Sequence, residues 1–160
     1  METSAAGRPD EVVVLMAMVP EQMQDLVLGL DEPRLDYRHA PAFPTLKEVI
    51  GHLCAAGTRL DALLRGALLE GAVDVPLRDA LDPPHEPDLS PPLAEMLAGF
   101  GRDRRRTVEL LRGLSEREWV RSVSDPRQGD LTLHEVGQQI NRHELGHLAQ
   151  LRNLVAVLPE

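Results

Sequence analysis

Apolar residues recur every three or four positions through four long stretches of this chain, and that period constrains its architecture more than any other feature. In the first stretch Val12, Met16, Val19, Met23, Leu26 and Leu30 alternate steps of four and three, which stacks them on one face of a helix. Leu46, Val49, Ile50, Leu53, Leu60, Leu63, Leu64 and Ala67 make a second stripe. Leu93, Met96, Leu97, Phe100, Thr107, Leu111 and Leu114 make a third, and Val136, Ile140, Leu151, Leu154 and Leu158 a fourth. No segment carries a strand signal. Aromatic residues are 2% of the 160, so the core must be built from Leu, Val, Ala and Met, which suits helix-on-helix packing better than a sheet. The expected fold is all-α: an up-down-type four-helix bundle with a long crossover loop. It is expected to form a single domain over residues 1–160, with residues 1–9 as a flexible tail.

Prolines and capping boxes set the boundaries. Pro20 lies inside the first stripe, where it predicts a kink or a break; Pro33, Pro41 and Pro44 mark a connecting loop. Thr45 with Glu48, Ser115 with Glu118 and Thr132 with Glu135 each fit the T/S-x-x-E box that opens a helix. The second box starts only a short turn, which carries Trp119, a candidate core plug. Residues 71–92 hold six of the thirteen prolines and no sustained period, so they are expected to form the crossing loop over one end of the bundle. Asp125, Pro126, Gly129 and Asp130 predict another loop.

The net charge of −9 disfavours a nucleic-acid partner, because most of the surface repels phosphate. Arg102, Arg104, Arg105 and Arg106 are a local exception, of the kind usually found on a solvated face. Cys54 is the only cysteine, which excludes an internal disulfide and fits a reducing, cytoplasmic setting. No apolar run approaches the roughly 18 residues of a membrane span, and the first ten residues lack the layout of a signal peptide.

The chemistry concentrates in histidine. His143 and His147 are four residues apart in the last helix, so they share a face, and the apolar stripe passes over both. Two neutral imidazoles facing a bundle core each need a partner, and one metal ion satisfies both. A lone core histidine is commonly just a satisfied polar residue. Here His52, bordering the buried face of the second helix, supplies a third donor. Cys54 points about 200° away from it on the wheel and is left out of the site; His39, His85 and His134 are assigned no role.

With these residues in view, residues 37–53, YRHAPAFPTLKEVIGHL, and residues 131–151, LTLHEVGQQINRHELGHLAQL, resemble the two histidine-bearing segments of the DinB-like and YfiT-like metal-dependent hydrolases. The order also matches: an early single histidine, then a late H-[DE]-x-x-H-x-x-Q formed by His143, Glu144, His147 and Gln150. The resemblance implies a four-helix bundle with a three-histidine site for a divalent transition metal, nickel or zinc, and by extension a low-molecular-weight thiol as cosubstrate.

Three neutral histidines leave such an ion open positions, the arrangement of a catalytic site. The expected activity is thiol S-transfer or hydrolysis of a small molecule. The alternative is a non-catalytic metal-binding bundle of structural or sensory role, in either case as a possible homodimer. Glu144 stands between a base or ligand-orienting role and a merely solvated glutamate. Gln150 points inward, for a hydrogen bond to an imidazole or a bound molecule. Arg104, on the apolar stripe of the third helix, is weighed as an anion-binding group against a snorkelling side chain. Residues 143–147 also fit HExxH, with Glu144 as the base of a zinc protease, a remote alternative because no third histidine follows.

Overall fold

The computed structural model describes residues 7–160. Four long helices dominate it: α1 (Pro9–Val27), α3 (Leu46–Leu69), α5 (Leu93–Arg112) and α7 (Leu133–Ala156). Three short ones, α2 (Glu32–Leu35), α4 (Leu77–Leu81) and α6 (Glu116–Trp119), and a two-stranded antiparallel hairpin, β1 (Ser122–Asp125) and β2 (Gly129–Thr132), complete it. Most of the tail expected over residues 1–9 lies outside the described residues, and α1 starts at Pro9.

Side-chain pairings fix the helix directions. Cys54, Thr58 and Asp61 of α3 meet Met96, Asp103 and Thr107 of α5 in the same order, so those two helices run parallel. Val12 and Met16 pack with Val136 and Ile140, while Val19, Met23 and Val27 pack with Leu148, Leu151 and Leu154. That makes α1 parallel to α7. The ends exchange between α3 and α7, Leu46 and Leu53 lying with Leu148 to Leu154 and Leu60 and Leu64 with Val136, so this pair is antiparallel. The sense along the chain is therefore up, down, down, up. A parallel step from α3 to α5 cannot be made by a tight turn, and this is the physical reason for the long crossover.

The crossover is more ordered than the sequence indicates. Residues 71–92 contain α4, and Asp74 bridges Ser124 in parallel beside β1. Two Asp125 hydrogen bonds hold the start of α4, from Leu77 N–H at 3.1 Å and Arg78 N–H at 3.4 Å. The expectation of no strands is also corrected. The segment read as a loop around Asp125 to Asp130 is the turn of the hairpin, whose strands of four residues each are too short to show an alternation. A single helical turn, α2, likewise interrupts the first connecting loop.

Helix α1 runs through Pro20 without a break. Proline lacks the N–H that would bond the carbonyl four residues back, here Met16. That carbonyl accepts Arg104 Nη1–H at 3.0 Å instead. Gly137 brings α7 close to α1: a Cβ there would lie 2.7 Å from Val12 Cγ1. The apolar core falls into two clusters, one at each end of the bundle. Between them lies a polar waist holding Arg104, Asn141, Glu144 and three histidines.

Candidate metal centre

The capping boxes set the phase of both histidine-bearing helices. Glu48 N–H bonds Thr45 Oγ1 at 3.1 Å and Glu135 N–H bonds Thr132 Oγ1 at 3.1 Å, with each glutamate reaching back to the cap's own N–H. From these starts the buried stripes turn His52 of α3 toward His143 and His147 of α7. His143 Nε2 lies 3.1 Å from His147 Nε2 and 3.3 Å from His52 Nε2; the rings of His52 and His147 are 4.7 Å apart.

A fourth donor joins them from the crossover. Asp82, directly after α4, places Oδ1 3.3 Å from His143 Nε2 and 3.5 Å from His52 Nε2. All four donor atoms lie within 4.8 Å of one another. Sequence reasoning missed Asp82. Asp74, Asp79, Asp82, Glu86 and Asp88 all fall in the same proline-rich stretch, and no period singles one out; only the path of the chain does.

The donor set fits a divalent transition metal. With metal–nitrogen bonds of about 2.0–2.1 Å, tetrahedral ligands stand about 3.3–3.4 Å apart, and the close pairs here span 3.1–3.5 Å. Converging imidazole nitrogens cannot all donate to one another, whereas one cation accepts every lone pair. His147 is set for this role: its Nδ1–H donates to Gln150 Oε1 at 2.9 Å, which leaves the Nε2 lone pair free. His143 Nδ1 is buried and has no hydrogen-bond partner among the described residues, so this ring lacks the Nδ1 support that Gln150 gives His147.

Burial first, then the neighbouring His147, holds the pKa of His52 and of His143 below the ordinary imidazole value, and Asp82 opposes this only in part. Both shifts favour the neutral ring, the state in which imidazole binds metal.

The remaining candidates separate. Gln150 contacts a histidine ring, as described. Glu144 is neither solvated nor free: its carboxylate is buried and forms a two-pronged pair with Arg104, one bond measuring 2.8 Å. That pairing corrects the reading of Glu144 as a base and removes the group an HExxH protease would need. Arg104 borders a groove of about 930 Å³ between α1 and α5, but its guanidinium is taken by Glu144 and the Met16 carbonyl, so it is neither an anion-binding group nor a snorkelling one. Cys54 donates to the Met96 carbonyl at 3.4 Å, and burial pushes its thiol up to about 12. Trp119 is buried in the core cluster at the hairpin end. His134 Nε2 donates to the Gly7 carbonyl at 2.6 Å, and His39 lies beside Tyr37 and Phe43. No helix of the described residues is long and apolar enough to cross a membrane.

With the geometry in hand, comparison with known proteins gives a consistent result. The family model of the DinB superfamily matches residues 16–151. A protein of Bacillus pumilus strain SAFR-032, provisionally named a metal-dependent hydrolase, is 27% identical over 143 residues, covering 88% of this chain and 81% of that protein. Among solved structures, YfiT from Bacillus subtilis, provisionally described as a metal-dependent hydrolase with an unusual four-helix bundle topology, matches with a TM-score of 0.67 at 20% identity. That match covers 96% of this chain and 89% of the other. At that identity the likeness speaks for the fold alone.

Proposed function

The chain belongs to the DinB superfamily, and on that premise we propose that it is a metal-dependent enzyme acting on a small molecule, with His52, His143 and His147 as the metal ligands. The observation that carries this reading is the convergence of three Nε2 atoms from two helices, the closest pairs at 3.1 and 3.3 Å. Zinc or nickel suits three imidazoles. Bound there, such an ion supplies Lewis acidity, lowering the pKa of a coordinated water or thiol. The chain's own residues hold the donors. Gln150 accepts the His147 Nδ1–H, and burial favours the unprotonated rings of His52 and His143.

Hydrolysis is the reading supported by the names of the similar proteins. Transfer of a low-molecular-weight thiol, in a cytoplasmic setting, is the finer alternative carried by the sequence resemblance. A non-catalytic metal-binding role also has one observation in its favour: Asp82 completes a set of four protein donors, the count of a closed structural site.

Elemental analysis of the purified protein tests the site. The wild type is expected to hold one divalent ion per chain and His143→Ala to lose it; equal metal content in both rejects the assignment. Loaded and metal-free proteins are then compared for cleavage of ester and amide substrates and for consumption of a thiol with an electrophile. A metal-dependent rate in either assay supports an enzyme, and identical rates in both support the non-catalytic role.

A further inference from the structure

We propose that Asp82 is a fourth metal ligand and that the crossover carrying it is a gate: the site is closed by four protein donors while Asp82 is bound, and accepts an outside donor only when Asp82 leaves. This deepens the three-histidine reading and rests on it.

Three observations place Asp82 there by construction. Its Oδ1 stands 3.3 Å and 3.5 Å from two of the three histidine nitrogens, the spacing expected of ligands on one small ion. The backbone before it is anchored, since Asp125 grips the first turn of α4 and Val75 N–H bonds the Ser124 carbonyl at 2.7 Å. The backbone after it is anchored too. Leu89 and Pro87 lie over Gly51, the neighbour of His52, so closely that a Cβ on Gly51 would sit 2.6 Å from Leu89 Cδ2. Only the short stretch between these clamps spans the site.

The Asp82 backbone is held, its N–H bonding the Arg78 carbonyl at 3.0 Å, but the side chain is poorly held against departure. The Asp82 side chain is 55% exposed, whereas those of His52 and His143 are 24% and 12% exposed. Its carboxylate therefore keeps water on one side and loses little solvation on leaving. Pro83 and Pro84 follow it and contribute no backbone N–H that would tie the segment to the bundle. A histidine on a helix turns with the whole helix; an aspartate on this loop does not. The three histidines thus make the permanent seat, and Asp82 is the exchangeable ligand.

Cobalt(II) as the metal and azide as the outside ligand test this without any enzymatic assay. The wild type is expected to give the intense visible bands of four-coordinate cobalt, and Asp82→Ala to give weaker bands of altered position. The azide Kd is expected to fall at least about tenfold in Asp82→Ala, because an outside ligand's apparent Kd is its intrinsic Kd divided by the fraction of sites left open to it. Identical spectra and identical azide Kd in the two proteins overturn the gate and leave the three-histidine site intact. A wild type that takes up no cobalt overturns the underlying metal reading instead. Circular dichroism and Tm of the metal-free proteins check the fold, and Asp82→Asn, which keeps the side-chain volume, replaces the alanine variant if that one is unfolded.

Discussion

Arg104 stands in for the backbone donor that Pro20 cannot supply. The Met16 carbonyl, four residues before Pro20, receives the Arg104 Nη1–H at 3.0 Å, and the same guanidinium grips Glu144 from α7. The side chains of the pair are 5% and 2% exposed. Arg104→Met strands a buried carboxylate and a buried carbonyl together, so a loss of about 3–5 kcal/mol is expected in urea unfolding. Adding Pro20→Ala returns an N–H to Met16, and it should recover roughly 1 kcal/mol more in the Arg104→Met background than in the wild type. Equal effects of Pro20→Ala in both backgrounds would show that the two residues are not coupled.

Gln150 touches the proposed metal site only through His147, holding Nδ1 of the ring whose Nε2 faces the ion's place. Its Oε1 accepts the Nδ1–H of His147; without that acceptor the ring is free to adopt the other tautomer and to rotate. Gln150→Leu is expected to weaken zinc binding by roughly 10–100-fold, measured by competition with a chromogenic chelator, while the metal-free protein keeps its unfolding midpoint. Wild-type zinc affinity in the variant would reduce Gln150 to a surface residue.

The parts of this molecule that could be read in advance are those decided within one helical turn or along one stripe. The Thr45 and Thr132 boxes fix where α3 and α7 begin and hence which faces His52, His143 and His147 present. What escaped depends on separations of tens of residues. Glu144 reads as a base, a ligand-orienting group or a solvated glutamate until α5 is laid beside it and Arg104, forty residues earlier in the chain, is found opposite. Asp82 carries no periodic signal, and its place follows only from the parallel run of α3 and α5, which forces the connecting chain past the histidines. The hairpin escaped because strands of four residues give period-two reading too little to work on.

Proton binding at the centre should appear as a pH-dependent stability of the metal-free protein. The pKa of both His52 and His143 is lowered from 6.5, by burial first and then by His147. Below pH 6.5 the unfolded chain therefore binds more protons than the folded one, and stability falls with pH through that window toward the lowered folded values. Above 6.5 this contribution is fully present. Urea midpoints of the metal-free wild type are expected to decline from pH 7 downward, and the His52→Ala/His143→Ala double variant to show a flatter profile over the same range. Parallel profiles would mean that the rings do not resist protonation.

Asp125 links the hairpin to the proposed gate. Its carboxylate accepts from Leu77 and Arg78 on α4 and from Arg127 and Gln128 in the turn. Burial alone would raise its pKa, but these bonds prevail and hold it below the carboxyl value of 3.8. Its stabilising effect is thus present above pH 3.8 and lost as pH falls through the lowered value. Asp125→Ala removes every acceptor at once, and the stranded N–H groups should cost about 1–3 kcal/mol each where they stay buried. The variant also frees the start of α4, five residues before Asp82, so in the cobalt-loaded protein the azide Kd should move toward that of Asp82→Ala. Asp125→Asn keeps one oxygen acceptor and is expected to fall between the two in both readouts. If Asp125→Ala destabilises the fold but leaves the azide Kd at the wild-type value, α4 is not what holds Asp82 in place.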